Sequence, residues 1–337
     1  MSLGQFEASE ASEVEESTSA AGGGSTAIRG RSPWQLARAR FRRDKVSMVA
    51  LVVTVLFVLL GIAAPILVRA GVLDPYGQHQ SLLGGLGSLP TGPFGGASLQ
   101  HPLGVEPGTG RDLLARIVYG LASSLFIGAV ATAFSIIIGT VVGIIAGFSG
   151  GWIDTALGRL MDLVLAFPQL LMLLALSIVV IDRLVAMGIP SGNPSHFTYV
   201  ILVLGIFGWP YFARIIRGQV LSIRRREFVE AAESLGARGP RIWFTEILPN
   251  IWAPILVYVS LLLPQYIAAE AALAFLGVSV QPPTPTLGNV LTDSVNYAGV
   301  DPIFFWAPGA MLVLLVLAFN LLGDGLRDAL DPKTDRH

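Results

Sequence analysis

Residues 230–250 read Glu230-Ala-Ala-Glu-Ser-Leu-Gly236-Ala-Arg-Gly-Pro240-Arg-Ile-Trp-Phe-Thr-Glu246-Ile-Leu-Pro249-Asn250. This polar stretch separates two long apolar runs, roughly 198–222 and 251–279. Arg224, Arg225 and Arg226 stop the first run at the level of lipid headgroups. Glu230 to Leu235 are mostly helix formers with an acidic start, which suits the positive end of a helix dipole. Gly236 can take the left-handed conformation that closes such a helix. Gly239-Pro240 turns the chain. Ile242, Trp243, Phe244 and Ile247 then lead back to the membrane, and Pro249 and Asn250 open the next run. The pattern predicts an all-α, polytopic membrane protein with a short helix in one polar loop.

Composition agrees. Of 337 residues, 53% are hydrophobic and 13% charged, where a soluble domain carries about 25% charged. The apolar residues come in six blocks: 46–68, 118–147, 155–181, 198–222, 251–279 and 304–322. Each approaches or exceeds the ~20 residues that a spanning helix needs. The second and fifth are longer, which predicts tilt or projection beyond the bilayer. The chain has no cysteine, so disulfides, thiolate metal sites and cysteine nucleophiles are excluded. The four histidines are His79, His101, His196 and His337, and none falls inside a block as drawn. A net charge of −1 selects no partner, and no nucleic-acid partner is implied.

Of the 22 Arg and Lys residues, 18 fall in the N-terminal segment, around the 230–250 loop, in the tail and at Arg159. Arg69, Arg111, Arg116 and Arg183 fall on the other side. This bias places both termini and the polar loop in the cytoplasm. Six crossings require the same side for both ends.

Residues 1–32 are rich in Ser, Gly, Ala and Glu, cannot bury a core, and are expected to be disordered. They lack the basic start and apolar stretch of a signal peptide. Ser32-Pro33-Trp34 predicts a helix start, and residues 33–45 an amphipathic helix on the inner membrane surface. Residues 46–68 form the first crossing. An external loop covers 69–117 and has no clear period. The core, 118–322, carries the cytoplasmic loop 223–250, and 323–337 form a short tail.

The spacing of that loop is E-A-A, three residues, Gly, nine residues, then a Leu-Pro ending. It resembles the EAA loop of importer-type ABC permeases. Three further stretches resemble the peptide and nickel branch of that family: His101 to Asp112, Glu270 to Pro283, and Asn320 to Pro332. In the third block Asp154, Arg159, Asp162, Phe167 and Pro168 fit the same branch. Two positions depart from the pattern. Val105-Glu106 stands where Thr-Asp is expected, and Glu246 stands at the isoleucine position, with Ile247 one place late.

The resemblance implies a type I ABC importer permease fold of six transmembrane helices in a bacterial inner membrane. It implies the pair member with a cytoplasmic N-terminus and short tail. The implied role is half of a translocation pathway for dipeptides or oligopeptides, with nickel chelates as the second substrate class. Implied partners are a second homologous permease, one or two ABC ATPase subunits, an extracytoplasmic substrate-binding protein and the lipid bilayer. The chain would be non-catalytic and hold no cofactor, with ATP and Mg bound on the ATPase subunits. Gly104 to Arg111 is Gly-rich but lacks the lysine of a phosphate-binding loop. The implied ATPase contact comprises Glu230, Ala231, Ala232, Leu235, Gly236 and Arg238.

Other candidates follow from chemistry. Charges inside spans mark function by default, so Glu270 and Asp162, with Gln169, are candidates for lining the route. Glu270 has the alternative of capping a neighbouring helix. Arg159 and Asp162, three residues apart on one helix face, are expected to pair. Gly139, Gly143 and Gly147 form a small-residue stripe for helix packing. Pro168 and Pro264 predict kinks. His101, Gly104, Glu106, Gly110, Arg111 and Asp112 are candidates for docking a binding protein or shaping the outer mouth. Gly147-Phe148-Ser149-Gly150 matches a serine-protease signature, but a serine nucleophile needs an adjacent base. A secondary transporter would need a coupling-ion site and, often, an internal repeat.

Overall fold

The structure is a computed structural model and describes residues 33–85 and 88–330. The expectations for residues 1–32 and 331–337 lie outside the described residues. The chain divides into two compact units, 1–39 and 40–337. Helix α1 (Pro33–Arg43) begins on the expected proline, whose missing N–H is no loss in a first turn.

Helix α2 (Lys45–Arg69) is the first crossing, and Asp44 caps it by accepting from the N–H groups of Val46 and Ser47 at 3.0 and 3.3 Å. A long loop follows, with a hairpin of two-residue strands β1 (Leu83–Gly84) and β2 (Leu89–Pro90). Helix α3 (Leu113–Ser149) begins five residues before the expected block, because Asp112 caps it through the Ala115 N–H at 2.6 Å. At a rise of 1.5 Å per residue it is about 55 Å long, so it does project beyond the hydrocarbon. The fifth crossing, α10 (Trp252–Phe275), is shorter than expected. Gly277, at φ +78°, ends it in a left-handed turn.

The third block, expected as one span, is broken. Helix α4 (Gly151–Ala166) stops at the extended Phe167, α5 (Gln169–Ala175) restarts after Pro168, and the two are bent by 74°. The pyrrolidine ring disfavours helical conformation at the residue before it and removes a backbone donor. Helix α6 (Ser177–Ala186) completes the path. Pro264, by contrast, lies inside the unbroken α10. Among the described residues five helices are long and apolar enough to cross a membrane, and the bent pair α4–α5 makes a sixth if its two halves count as one span. The remaining elements are α7 (Asn193–Ile223), α8 (Glu227–Ser234), α9 (Gly239–Ile242), α11 (Leu287–Ser294) and α12 (Pro302–Leu330). Helix α7 starts earlier than its block, so His196 lies inside a spanning helix, contrary to expectation. Helix α12 runs past 322 into the expected tail.

The core is α3 lying parallel to α7. A Cβ on Gly139 would sit 2.8 Å from Phe212, one on Gly143 2.7 Å from the Ala213 carbonyl, and one on Gly147 2.8 Å from Val220. The stripe lets the two backbones close together, and Phe212, Ile216 and Val220 fill the seam. Gly143→Leu should therefore force the helices apart. An overpacked core costs typically about 1–3 kcal/mol, and here the obstacle is backbone. The expected result is a sharply reduced yield of monodisperse protein in detergent, with Gly218→Leu, where space is open, as the tolerated control.

Helix α10 runs antiparallel to α3, where Gly128 meets Ile267. Helix α2 also runs antiparallel to α3, with Gly61 against Leu125 and Ala122. Gly325 of α12 meets Ser47 of α2. The start of α2 and the end of α12 thus share one end of the bundle, as an even number of crossings requires.

Candidate functional site

Between α7 and α10 the chain forms α8, α9, a π-helical turn (Trp243–Ile247) and a 3-10 turn (Leu248–Asn250). Gly236 has φ +82°. The Gly236 N–H donates to Glu233 O (2.9 Å) and the Ala237 N–H to Ala232 O (3.0 Å), the paired bonds of a Schellman ending. Val229 is fully buried and anchors α8, while Glu230 and Ala231 face outward and Leu235 is 89% exposed. Arg238 is exposed beside this end. A cleft of about 240 Å³ opens among Ala232, Leu235, Gly236, Arg241, Ile242 and Glu246. The late isoleucine has a local answer. The widened π turn coincides with the departure from the sequence pattern and delivers Ile247 wholly to the core.

The segment His101 to Asp112 is largely packed inward. Glu106 is 2% exposed. Its carboxylate lies 2.5 Å from Arg116 Nε, within 3.4 Å of Arg111 Nε, and accepts from Thr109 Oγ1 at 2.9 Å. Burial pushes the Glu106 carboxyl up, and Arg116 opposes that rise. Arg116 also reaches Asp293 of α11, at 3.6 Å. His101 Nδ1 lies 2.6 Å from Asp112, the cap of α3. Gly104 and Gly110 have positive φ, and a Cβ on either would strike the backbone of Gly95 or His79. The path is fixed, as the glycines and prolines predict. What these six residues hold together is the start of α3. The exposed groups nearby include two large hydrophobics, Phe94 and Leu99, which no sequence pattern singles out.

The intramembrane candidates separate. Glu270 is fully buried, accepting from Ser124 Oγ (3.1 Å) and Ser279 Oγ (2.8 Å). Ser124 in turn accepts from the Leu287 N–H at 3.0 Å, the first turn of α11. Glu270 thus reaches the first turn of α11 through Ser124 rather than by capping it directly. Asp162 does not pair with Arg159 on its own helix. Its partner is Arg214 of α7, and Asp154 pairs with Arg217 through bonds of 2.5 and 2.7 Å. Pairing across helices has priority because α4 lies against α7. Gln169 is half-buried in the first turn of α5. Arg214 and Arg217 lie inside the 198–222 block as drawn, although the charge bias counts them with the polar loop; α7 runs to Ile223 and keeps them within the helix.

Apolar crossings built around two close-packed helices, with an exposed, glycine-closed helix between the fourth and fifth, define a membrane transport subunit. The chain belongs to the family described as binding-protein-dependent transport system inner membrane component, whose model matches residues 139–336. Residues 32–84 match the N-terminal TM domain of oligopeptide transport permease C. A dipeptide transport system permease protein of Alkalihalophilus pseudofirmus is 37% identical over 90% of both chains. An oligopeptide transport system permease protein of Bacillus subtilis is 36% identical over 90% of both. A glutathione transport system permease protein of Pectobacterium atrosepticum is 38% identical over 90% of this chain and 92% of its own. An inward-facing structure of the MetNI methionine ABC transporter shares the fold, with a TM-score of 0.52, 18% identity, and coverage of 65% of this chain and 98% of its own.

Proposed function

We propose that this chain is one half of the transmembrane pathway of an ATP-driven importer of dipeptides or oligopeptides. A second, related permease supplies the other half, a separate ABC ATPase supplies the work, and a binding protein on the outer side delivers substrate. ATP and Mg belong to the ATPase, and no bond is made or broken in this chain. The single observation that carries the reading is the α8 loop. It is exposed, follows α7 after a short turn and leads through α9 and two short turns into α10, so displacement of α8 is passed to both spanning helices. The clustering of Arg and Lys supports placing it in the cytoplasm with both termini. The names of the relatives support small peptides as substrate, and glutathione is itself a peptide. A nickel chelate remains the second substrate class.

Among the described residues the geometry speaks against the protease reading. Ser149 ends α3, while His196 lies in the first turn of α7. These two helices run parallel, so serine and histidine sit at opposite ends of the bundle. The test of coupling is cross-linking in the assembled complex. Ala232→Cys is informative because the chain has no native cysteine. It should form a disulfide with a cysteine on the ATPase surface, and the yield should change with nucleotide. A complex that imports in an ATP-dependent manner yet never gives this cross-link would remove α8 from the coupling role.

A further inference from the structure

The α4–α7 face carries charge where lipid cannot accept it. Arg224 Nη1 donates to the Gly147 carbonyl at 3.0 Å, and its side chain stands beside Gly150. Gly150 and Arg224 therefore mark one level, the headgroup end of both helices. Arg214 lies ten residues before Arg224 on α7, about 15 Å deeper at helical rise. Asp162 lies about as deep on α4. That is close to the middle of a hydrocarbon layer about 30 Å thick. Yet the Arg214 and Asp162 side chains are 48% and 54% exposed. Charged groups at that depth face a water-filled path or another protein rather than lipid.

Between them lies a cleft of about 390 Å³, whose charged lining is Asp154, Arg159, Asp162, Arg214 and Arg217. Three cations face two anions. Asp162 pairs with Arg214 and Asp154 with Arg217. Among the described residues Arg159 makes no ion pair or hydrogen bond, and it is exposed at the cleft. Gly158 beside it has open space.

We propose that this cleft is the charged wall of the translocation route, and that Arg159 is its contact for a substrate carboxylate. The two fixed ion pairs hold α4 against α7 and leave one guanidinium over. A guanidinium matches a carboxylate in two-point geometry. A peptide carries such a group at its C-terminus, so the assignment rests on the peptide reading above. A single contact of this kind, not a closed pocket, lets substrate pass rather than stay.

The test uses the complete importer in proteoliposomes. Arg159→Cys should react with a water-soluble, charged thiol reagent in at least one nucleotide state, and peptide trapped in transit should slow that reaction. Arg159→Gln should lower uptake of a free-acid peptide about tenfold at sub-saturating concentration, the worth of one charge-assisted contact, while Arg159→Lys, which keeps the charge but not the two-point geometry, should fall between Arg159→Gln and wild type. For the C-terminally amidated form of the same peptide, wild type and Arg159→Gln should be equal. An Arg159→Cys variant that stays unreactive in every state places this face against lipid or the partner permease and overturns the proposal. Reactivity without protection, together with equal loss for acid and amide, overturns the carboxylate assignment and leaves only a wet vestibule. If the wild-type complex moves no peptide, the peptide reading fails and the carboxylate contact with it, while thiol reactivity of Arg159→Cys still decides whether the cleft lines the route.

Discussion

Arg116→Ala should be the most damaging single truncation in the chain. The Arg116 side chain is wholly buried and lies 2.5 Å from Glu106, itself almost wholly buried, with Asp293 3.6 Å away. Removing the cation leaves a carboxylate in a dry site with only Thr109 and Arg111 as partners. Breaking a buried pair from one side costs about 3–5 kcal/mol. The loss should fall on the 101–112 segment, since this pair ties it to α3 and α11. It should appear as loss of the monodisperse peak in detergent and rapid proteolysis of the 70–112 loop. Glu106→Leu combined with Arg116→Met should recover part of the stability, because the most deeply buried carboxylate is no longer stranded, while Arg111 and Asp293 still lose their partners. Equal damage from the single and the double change would mean that the pair acts through shape alone.

The crossings are legible because span length and apolar composition are one-dimensional properties. The stripe of Gly139, Gly143 and Gly147 is legible for a similar reason: a spacing of four residues defines a face before any partner is known. Pro168 and Pro264 show where that kind of reasoning stops. Both predict kinks, yet only Pro168 breaks its helix. Phe167 and Pro168 have little packed around them to hold a helix straight, whereas Pro264 is buried in the core within α10. Tertiary packing decides, and one residue does not contain it.

Side-chain partners are the least legible. Arg159 and Asp162 satisfy the local rule for a helix pair, but α7 offers Arg214 across the seam. Nothing in the order of residues says that α4 lies on α7. Glu270 is a similar case. Ser279 is nine residues away, but Ser124, which carries the link to α11, is 146 residues away in sequence, so that link has no local sign. The α8 loop is readable because its information is local: an acidic start, a closing glycine, a returning apolar run. The outer segment is readable as rigid for the same reason. That its charges point inward is not, since turn residues and charge both suggest surface.

The second large effect is expected at Gly236. A Cβ there would meet nothing within 4 Å, so any penalty is conformational and not steric crowding. At φ +82° an L-residue is strained by roughly 1–2 kcal/mol, and a β-branched one by more. Gly236→Val should therefore unwind the Schellman ending and turn Leu235 and Ala232 away from the face they present. Asn, which tolerates the left-handed region, should be accepted. If α8 seats in an ATPase cleft, Gly236→Val should leave the chain in the membrane but abolish most transport, and Gly236→Asn should transport nearly as wild type. Glu230→Lys adds an electrostatic version of the same test. Reversing a desolvated pair at the junction should weaken it by about 3 kcal/mol or more, roughly a hundredfold in affinity. ATPase activity in the complex should then no longer respond to substrate. The order Asn above Val at position 236 is the decisive measurement. Backbone strain predicts it, whereas a loop without a mechanical role predicts no difference between the two.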